Sequence, residues 1–131
     1  MIDREVHIFD RVYRKVSSLC AKGKFVSTQI VSPTAYPAGC LVEMSNTTVK
    51  DLNSSSLTED YADIMYQLEC FAKTKADCKK LYAAADEEMI GMGFTRISGD
   101  LIGNAGNVDV LRYVARYRAY IDQNGMICRV P

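Results

Sequence analysis

The sequence predicts an α+β fold: a two-layer sandwich in which two helices pack on one face of a mixed, mostly antiparallel sheet. Three observations predict it. Residues 108–131, VDVLRYVARYRAYIDQNGMICRVP, alternate apolar and polar side chains for most of their length, which is the period of a strand with one buried and one wet face. Residues 61–72 alternate in the same way. Two other stretches, 3–21 and 75–92, instead place apolar residues three and four apart, as an amphipathic helix does. Read in order, the chain gives α-β-β-loop-β-α-β-β-β as one domain spanning residues 1–131, and helices segregated from antiparallel strands make an α+β layer architecture.

The first helix is marked by Ile2, Val6, Phe9, Val12, Tyr13, Val16, Leu19 and Cys20, with Asp3 placed to cap its start and Gly23 to stop it. A less cleanly alternating strand is expected over 25–31, and a connection over 32–39 follows, where Pro33 and Pro37 oppose regular pairing. Residues 40–44 read as a second strand. The polar, serine-rich run 45–60 reads as an extended loop that a partner orders; its candidate partner-contacting residues are Val49, Lys50, Asp51, Leu52 and Leu57.

In 61–72, Ala62, Ile64, Tyr66, Leu68, Cys70 and Ala72 form the inward face, while Asp63, Gln67 and Glu69 point the other way. Thr74 and Asp77 make a capping-box-like start to the second helix, whose buried stripe is Cys78, Leu81, Tyr82, Ala85 and Met89 and whose stop is Gly93. A short strand is expected at 94–98 and a flexible connection at 99–107. The last long strand buries Leu111, Tyr113, Ala115, Tyr117, Ala119 and Ile121 and presents Arg112, Arg116 and Arg118 on its other face. Asn124-Gly125 then turns the chain into a short return strand over 126–130.

Composition narrows the function classes. The 131 residues are 48% apolar and 24% charged, with 16 basic and 16 acidic side chains. A neutral chain has no global field to attract DNA or an anionic membrane, and no apolar run approaches a membrane-spanning helix. The amphipathic, charged N-terminus differs from a signal peptide, which fits synthesis and folding in a cytoplasm. The five cysteines are widely spaced with no CxxC, so they read as reduced, small apolar residues rather than metal ligands.

No catalytic constellation emerges. His7 is the single imidazole and lies in the first helix. The acidic run Asp86-Glu87-Glu88 reads as an exposed helix face, and Lys73, Lys75, Lys79 and Lys80 as a solvated basic flank. Walker A, GxGxxG and HExxH sequences are absent. The arginines carry more weight: three on one face of a long strand are costly to cover unpaired, and arginine is enriched at interfaces. Arg112, Arg116 and Arg118 are therefore candidate interface residues, together with Asp63 and Glu69, which would form cross-strand ion pairs with them if the two strands are neighbours.

The segments Tyr66-Gln67-Leu68-Glu69-Cys70-Phe71-Ala72-Lys73-Thr74-Lys75-Ala76-Asp77-Cys78-Lys79-Lys80, Gly93-Phe94-Thr95-Arg96-Ile97 and Arg112-Tyr113-Val114-Ala115-Arg116-Tyr117-Arg118-Ala119-Tyr120-Ile121-Asp122-Gln123-Asn124-Gly125 resemble the tail-completion proteins of long-tailed bacteriophages. These are the tail terminators and tail-to-head joining proteins. The resemblance covers roughly residues 61–130 and implies a structural protein with no catalytic residues, cofactor or metal. It implies a homohexameric ring on the head-proximal end of the tail tube, which ends tube polymerisation and offers the head a docking surface, and in such a ring Arg112, Arg116, Arg118, Asp63 and Glu69 would be candidate inter-subunit or lumen contacts. The implied partners are the tail tube protein, a neck or connector protein on the head side and, where the tail contracts, a sheath terminator. DNA would pass through without sequence-specific binding, no membrane is involved, and the protein would end in the virion after assembly in the bacterial host cytoplasm. The alternative within the same resemblance is another neck component, a head-completion or stopper protein on the portal side.

Overall fold

The computed structural model describes residues 2–29, 35–49, 61–103 and 110–128. Its fold is α+β, with two α-helices on one face of a curled mixed sheet. Helix α1 (Glu5–Val16) buries Ile8, Val12 and Val16, spaced by four residues. The helix begins at Glu5 with Arg4, not the expected Asp3, at its N-cap and no capping side chain there; Asp3, one residue earlier, accepts the Glu5 N–H through Oδ1 at 3.1 Å. The expected helix over 3–21 is shorter than its apolar stripe. After Val16 the backbone tightens into two 3₁₀ turns, Ser17–Leu19 and Ala21–Gly23, with Lys22 and Gly23 at φ 53° and 66°. These positive angles end the helical path.

Strand β1 (Phe25–Val26) pairs parallel with β2 (Ala38–Thr48) through Phe25↔Gly39 and Val26↔Cys40 alone. The strand is shorter than the expected 25–31: residues 27–29 leave the sheet, and 30–31 lie outside the described residues. The second strand is longer than the 40–44 expected: Ser45, Asn46, Thr47 and Thr48 continue it, pairing with β3 (Tyr61–Ala72). Ser45, Thr47 and Thr48 are exposed, so these strand positions needed no apolar residue and read as loop. A bulge at Met44 shifts the register there.

Helix α2 (Lys75–Met92) starts and stops as its caps require. Thr74 Oγ1 accepts the Asp77 N–H at 3.2 Å, and Gly93 takes φ 110° while its N–H bonds to the Ile90 carbonyl. Strand β4 (Thr95–Gly103) extends past the expected 94–98, because Gly99–Gly103 pairs with β5 instead of forming a connection. Strand β5 (Leu111–Asp122) is the hub. It pairs antiparallel with β3 along its whole length on one side, and with β4 and then β6 (Ile127–Cys128) on the other. The spatial order is β1-β2-β3-β5-β4. Since β3 and β4 each run antiparallel to β5, they are parallel to one another, and β3-α2-β4 is a crossover with β5 inserted between its strands. At the final turn, Gly125 takes φ 84°, and the Asp122 carboxylate accepts the N–H groups of Asn124 and Met126 at 2.9 and 2.8 Å.

The core lies between this sheet and the helices. Ala62, Ile64, Tyr66, Leu68, Cys70 and Ala72 of β3 and Ala115, Tyr117, Ala119 and Ile121 of β5 are all buried, against Ile8, Val12, Val16, Leu81, Ala85, Met89 and Phe94. Leu111 and Tyr113, expected in the same row, are only half-buried, and Tyr113 stacks on Tyr82 with ring centroids 3.8 Å apart. Tyr66 and Phe94 meet edge to face at 5.5 Å.

Candidate functional site: the arginine face of the sheet

The candidate residues of the arginine face come together because β3 and β5 are neighbours in one unbroken register, from Tyr61↔Asp122 to Ala72↔Leu111. A period of two on both strands puts Asp63, Gln67 and Glu69 on the face that carries Arg112, Arg116 and Arg118. Arg116 and Arg118 then find acceptors across the strands, and Arg112 finds an ion-pair partner. Arg118 donates to the Asp63 carboxylate through Nε at 2.9 Å and Nη2 at 2.5 Å, a two-point geometry that fixes the guanidinium plane. Those bonds push the Arg118 guanidinium up, against its partial burial. Its carbon also lies 5.9 Å from the Tyr120 ring centroid. Arg116 Nε donates to Gln67 Oε1 at 3.1 Å, and Gln67 Nε2 donates to Glu69 Oε1 at 2.6 Å. Arg112 Nη1 stands 3.8 Å from Glu69 Oε2, an ion pair without a hydrogen bond.

Glu69 departs from the expected wet position. Its register is on the arginine face, yet it is 2% exposed, because Cys40 and Val114 stand opposite it on both flanking strands and Arg112 lies against it. Glu69 Oε2 and Arg112 Nε are both buried with no hydrogen bond. Such buried polar atoms are costly, so this pair sets the face's geometry more than its stability. Arg116 remains exposed and Arg118 partly so. Among the described residues, Arg116 donates through Nε to Gln67.

Of the loop candidates, Val49 is half-buried and its N–H bonds to the Tyr61 carbonyl at 3.0 Å, which continues the β2–β3 ladder. Lys50, Asp51, Leu52 and Leu57 lie outside the described residues. The basic flank of Lys73, Lys75, Lys79 and Lys80 is exposed as expected.

Two polar groupings were not legible in the sequence. Asp86, expected on an exposed helix face, accepts from Tyr117 Oη at 2.6 Å, Tyr82 Oη at 3.3 Å and Arg96 Nη1 at 3.3 Å. Arg96 Nη1 also donates to Tyr82 Oη at 2.7 Å. Burial pushes Tyr82 up to about 12, although its hydrogen bonds with Tyr117 and Arg96 oppose the shift. Glu88, from the same acidic run, pairs with Arg11 at 2.8 Å. The network ties α2 to β4 and β5 behind the arginine face. The signal was Asp86 one helical turn from Tyr82. Elsewhere, Asp3, Glu5 and Glu43 bring carboxylate oxygens within 4.8 Å of one another. Burial first, then the charge of Glu5, push Glu43 up.

The thiols behave as packing. Cys20, Cys40, Cys70 and Cys78 are buried and Cys128 is half-buried. Burial pushes Cys20 up to about 11 and also raises Cys70 and Cys78, which keeps them protonated and unreactive at neutral pH. His7 is exposed and lines a shallow groove of about 290 Å³ with Arg4, Ile8, Arg11, Met92 and Ile127. No helix among the described residues is long and apolar enough to cross a membrane. No protein-family model matches the chain, and comparison with curated proteins finds no match.

Proposed function

We propose that this chain is a structural subunit that assembles as a hexameric ring on the head-proximal end of a phage-type tail tube, ends tube growth and provides the head-joining surface. One observation carries the reading: a sheet face on which Arg116 and Arg118 are held by cross-strand acceptors and stay accessible, with Arg112 beside them in an ion pair with Glu69. Pre-ordered guanidinium groups lose little conformational freedom on meeting a second surface. The likeness of residues 61–130 to tail-completion proteins gives that second surface its identity.

Light scattering and negative-stain imaging of the protein, alone and mixed with tail tube protein, test the reading. Six-subunit rings, free or seated on tube ends, are expected. A protein that never forms rings and ignores tubes refutes it, and binding to a portal-side protein instead moves the chain to another neck position. Replacing Arg112, Arg116 and Arg118 together with Ala is expected to impair ring closure or capping while the subunit stays folded. Unchanged assembly removes the arginines from the account.

A further inference from the structure

The formal net charge of zero conceals a local excess of cations at one end of the sheet. The register sets Phe25, Gly39 and Cys70 side by side across β1, β2 and β3. The residues before Phe25, before Gly39 and after Cys70 therefore leave the sheet at the same end. There the Ala21 N–H donates to the Pro37 carbonyl at 2.7 Å and the Gly39 N–H to the Lys24 carbonyl at 3.0 Å. The Lys73 ammonium lies 5.9 Å from the centroid of the Tyr36 ring. Helix α2 starts at this end too, where Cys78 Sγ donates to the Cys70 carbonyl at 3.4 Å. Two segments distant in sequence thus bring Lys22, Lys24, Lys73, Lys75, Lys79 and Lys80 to one end of the molecule, and all six are exposed. They are six of the chain's eight lysines, and Asp77 is the single acid in residues 20–25, 35–38 and 73–80. Glu69, further back in β3, is buried against Arg112.

Among the described residues, each ion pair uses an arginine and none a lysine. Lys75 and Lys79 stand four residues apart on one helix, where like charges repel. Lys73 and Lys75 lie at the helix end whose dipole favours anions. We propose that this end of the molecule binds the phosphate backbone of duplex nucleic acid without reading its sequence. A row of phosphates relieves both repulsions at once, and counterion release supplies the affinity. Lysine meets phosphate as a point charge. The residues around the lysines separate nucleic acid from other anionic partners. A protein interface has a desolvated core rich in large apolar and aromatic side chains, and the exposed large apolar residues Val6, Met44, Ile97, Leu101, Ile102 and Met126 belong to neither lysine segment. Binding in an anionic membrane surface likewise needs apolar side chains to insert. Neither segment carries the Arg, Asn or Gln that pairs with base edges, so the contacts stop at the backbone. This inference does not depend on the ring reading.

The test is fluorescence anisotropy of a labelled DNA duplex titrated with the full chain over a salt series. Binding at low salt is expected, and the logarithm of the association constant should fall linearly with the logarithm of salt concentration, by about 0.9 per phosphate contacted. Lys73→Gln, Lys75→Gln and Lys79→Gln together should weaken binding and lower that slope by about 2.7, the share of three contacts, with an unchanged far-ultraviolet spectrum. Arg at the same three positions should restore both affinity and slope, and two duplexes of unrelated sequence should bind alike. No binding at low salt, a slope that the Gln variant leaves unchanged, Arg replacements that restore nothing, or binding confined to one of the duplexes overturns the assignment. Poly-glutamate bound as tightly as the duplex through the same lysines would also overturn it and give the surface to an acidic protein.

Discussion

Replacing Glu69 with Leu tests whether the arginine face is held for geometry or for stability. Glu69 is 2% exposed and its Oε2 stands 3.8 Å from Arg112 Nη1. At an effective dielectric of about 20, that separation corresponds to roughly 4 kcal/mol of gross attraction. Burying the two ions costs several kcal/mol each, less for Arg112, whose side chain keeps 35% of its exposure. The intact pair is therefore close to neutral. Taking away Glu69 alone leaves the Arg112 guanidinium and the Gln67 amide without their acceptor, and the loss should be about 3 kcal/mol, the lower end for a broken buried pair. Replacing both Glu69 and Arg112 with Leu should restore stability to within about 1 kcal/mol of the wild type. Urea unfolding of the two singles and the double gives the cycle directly. A Glu69→Leu loss below about 0.5 kcal/mol, or a double variant as unstable as the single, would refute the reasoning. The refolded double variant then separates the face's geometric role from its stability, since it should fold and fail to assemble.

Two further outcomes follow from the titrating groups. Burial and the charge of Glu5 raise the Glu43 carboxyl, so the folded state holds a proton there that the unfolded state has released. Stability should fall as pH rises from the ordinary carboxylate range through the raised value, and Glu43→Gln should remove that slope and stabilise the protein at neutral pH, read by urea melts across the acid range. A Glu43→Gln variant less stable than wild type at neutral pH would contradict this. For the thiols, Cys128 is the one of five cysteines that is not buried, so a disulfide-exchange reagent should titrate it rapidly in the native protein and the rest only after denaturant. Fast reaction of Cys70 or Cys78 would overturn the packing role.

Periodicity made the hub of the fold legible. One face is buried along all of β3 and from Ala115 to Ile121 of β5, so every second residue there had to be apolar, and helix α2 carried both its cap and its stop in Thr74 and Gly93. The misread segments were those where burial did not constrain the residues. Ser45–Thr48 and Gly99–Gly103 are strand because a neighbour supplies hydrogen bonds, and exposed positions can satisfy that with serine, threonine or glycine. The pairing of Arg118 with Asp63 was legible as a consequence of strand adjacency. The burial of Glu69 was not, since it depends on Cys40 and Val114 closing in from strands far away in the sequence. Asp86 was hidden for the same reason, because Tyr117 and Arg96 reach it from other elements.

The insertion of β5 between β3 and β4 imposes an order on the birth of the molecule. While the ribosome has delivered only β3, α2 and β4, the two parallel strands of the crossover are separated by the width of a missing strand, and each shows an unfilled side. Neither can complete its ladder until residues 111–122 have followed them out of the exit tunnel. The sheet then closes in a single late event in which one segment fills both gaps. A nascent chain stalled before that segment would expose two long strand edges at once, which is the condition under which chains capture one another. The cell's need for a chaperone should therefore peak over one short interval of translation and end when β5 arrives.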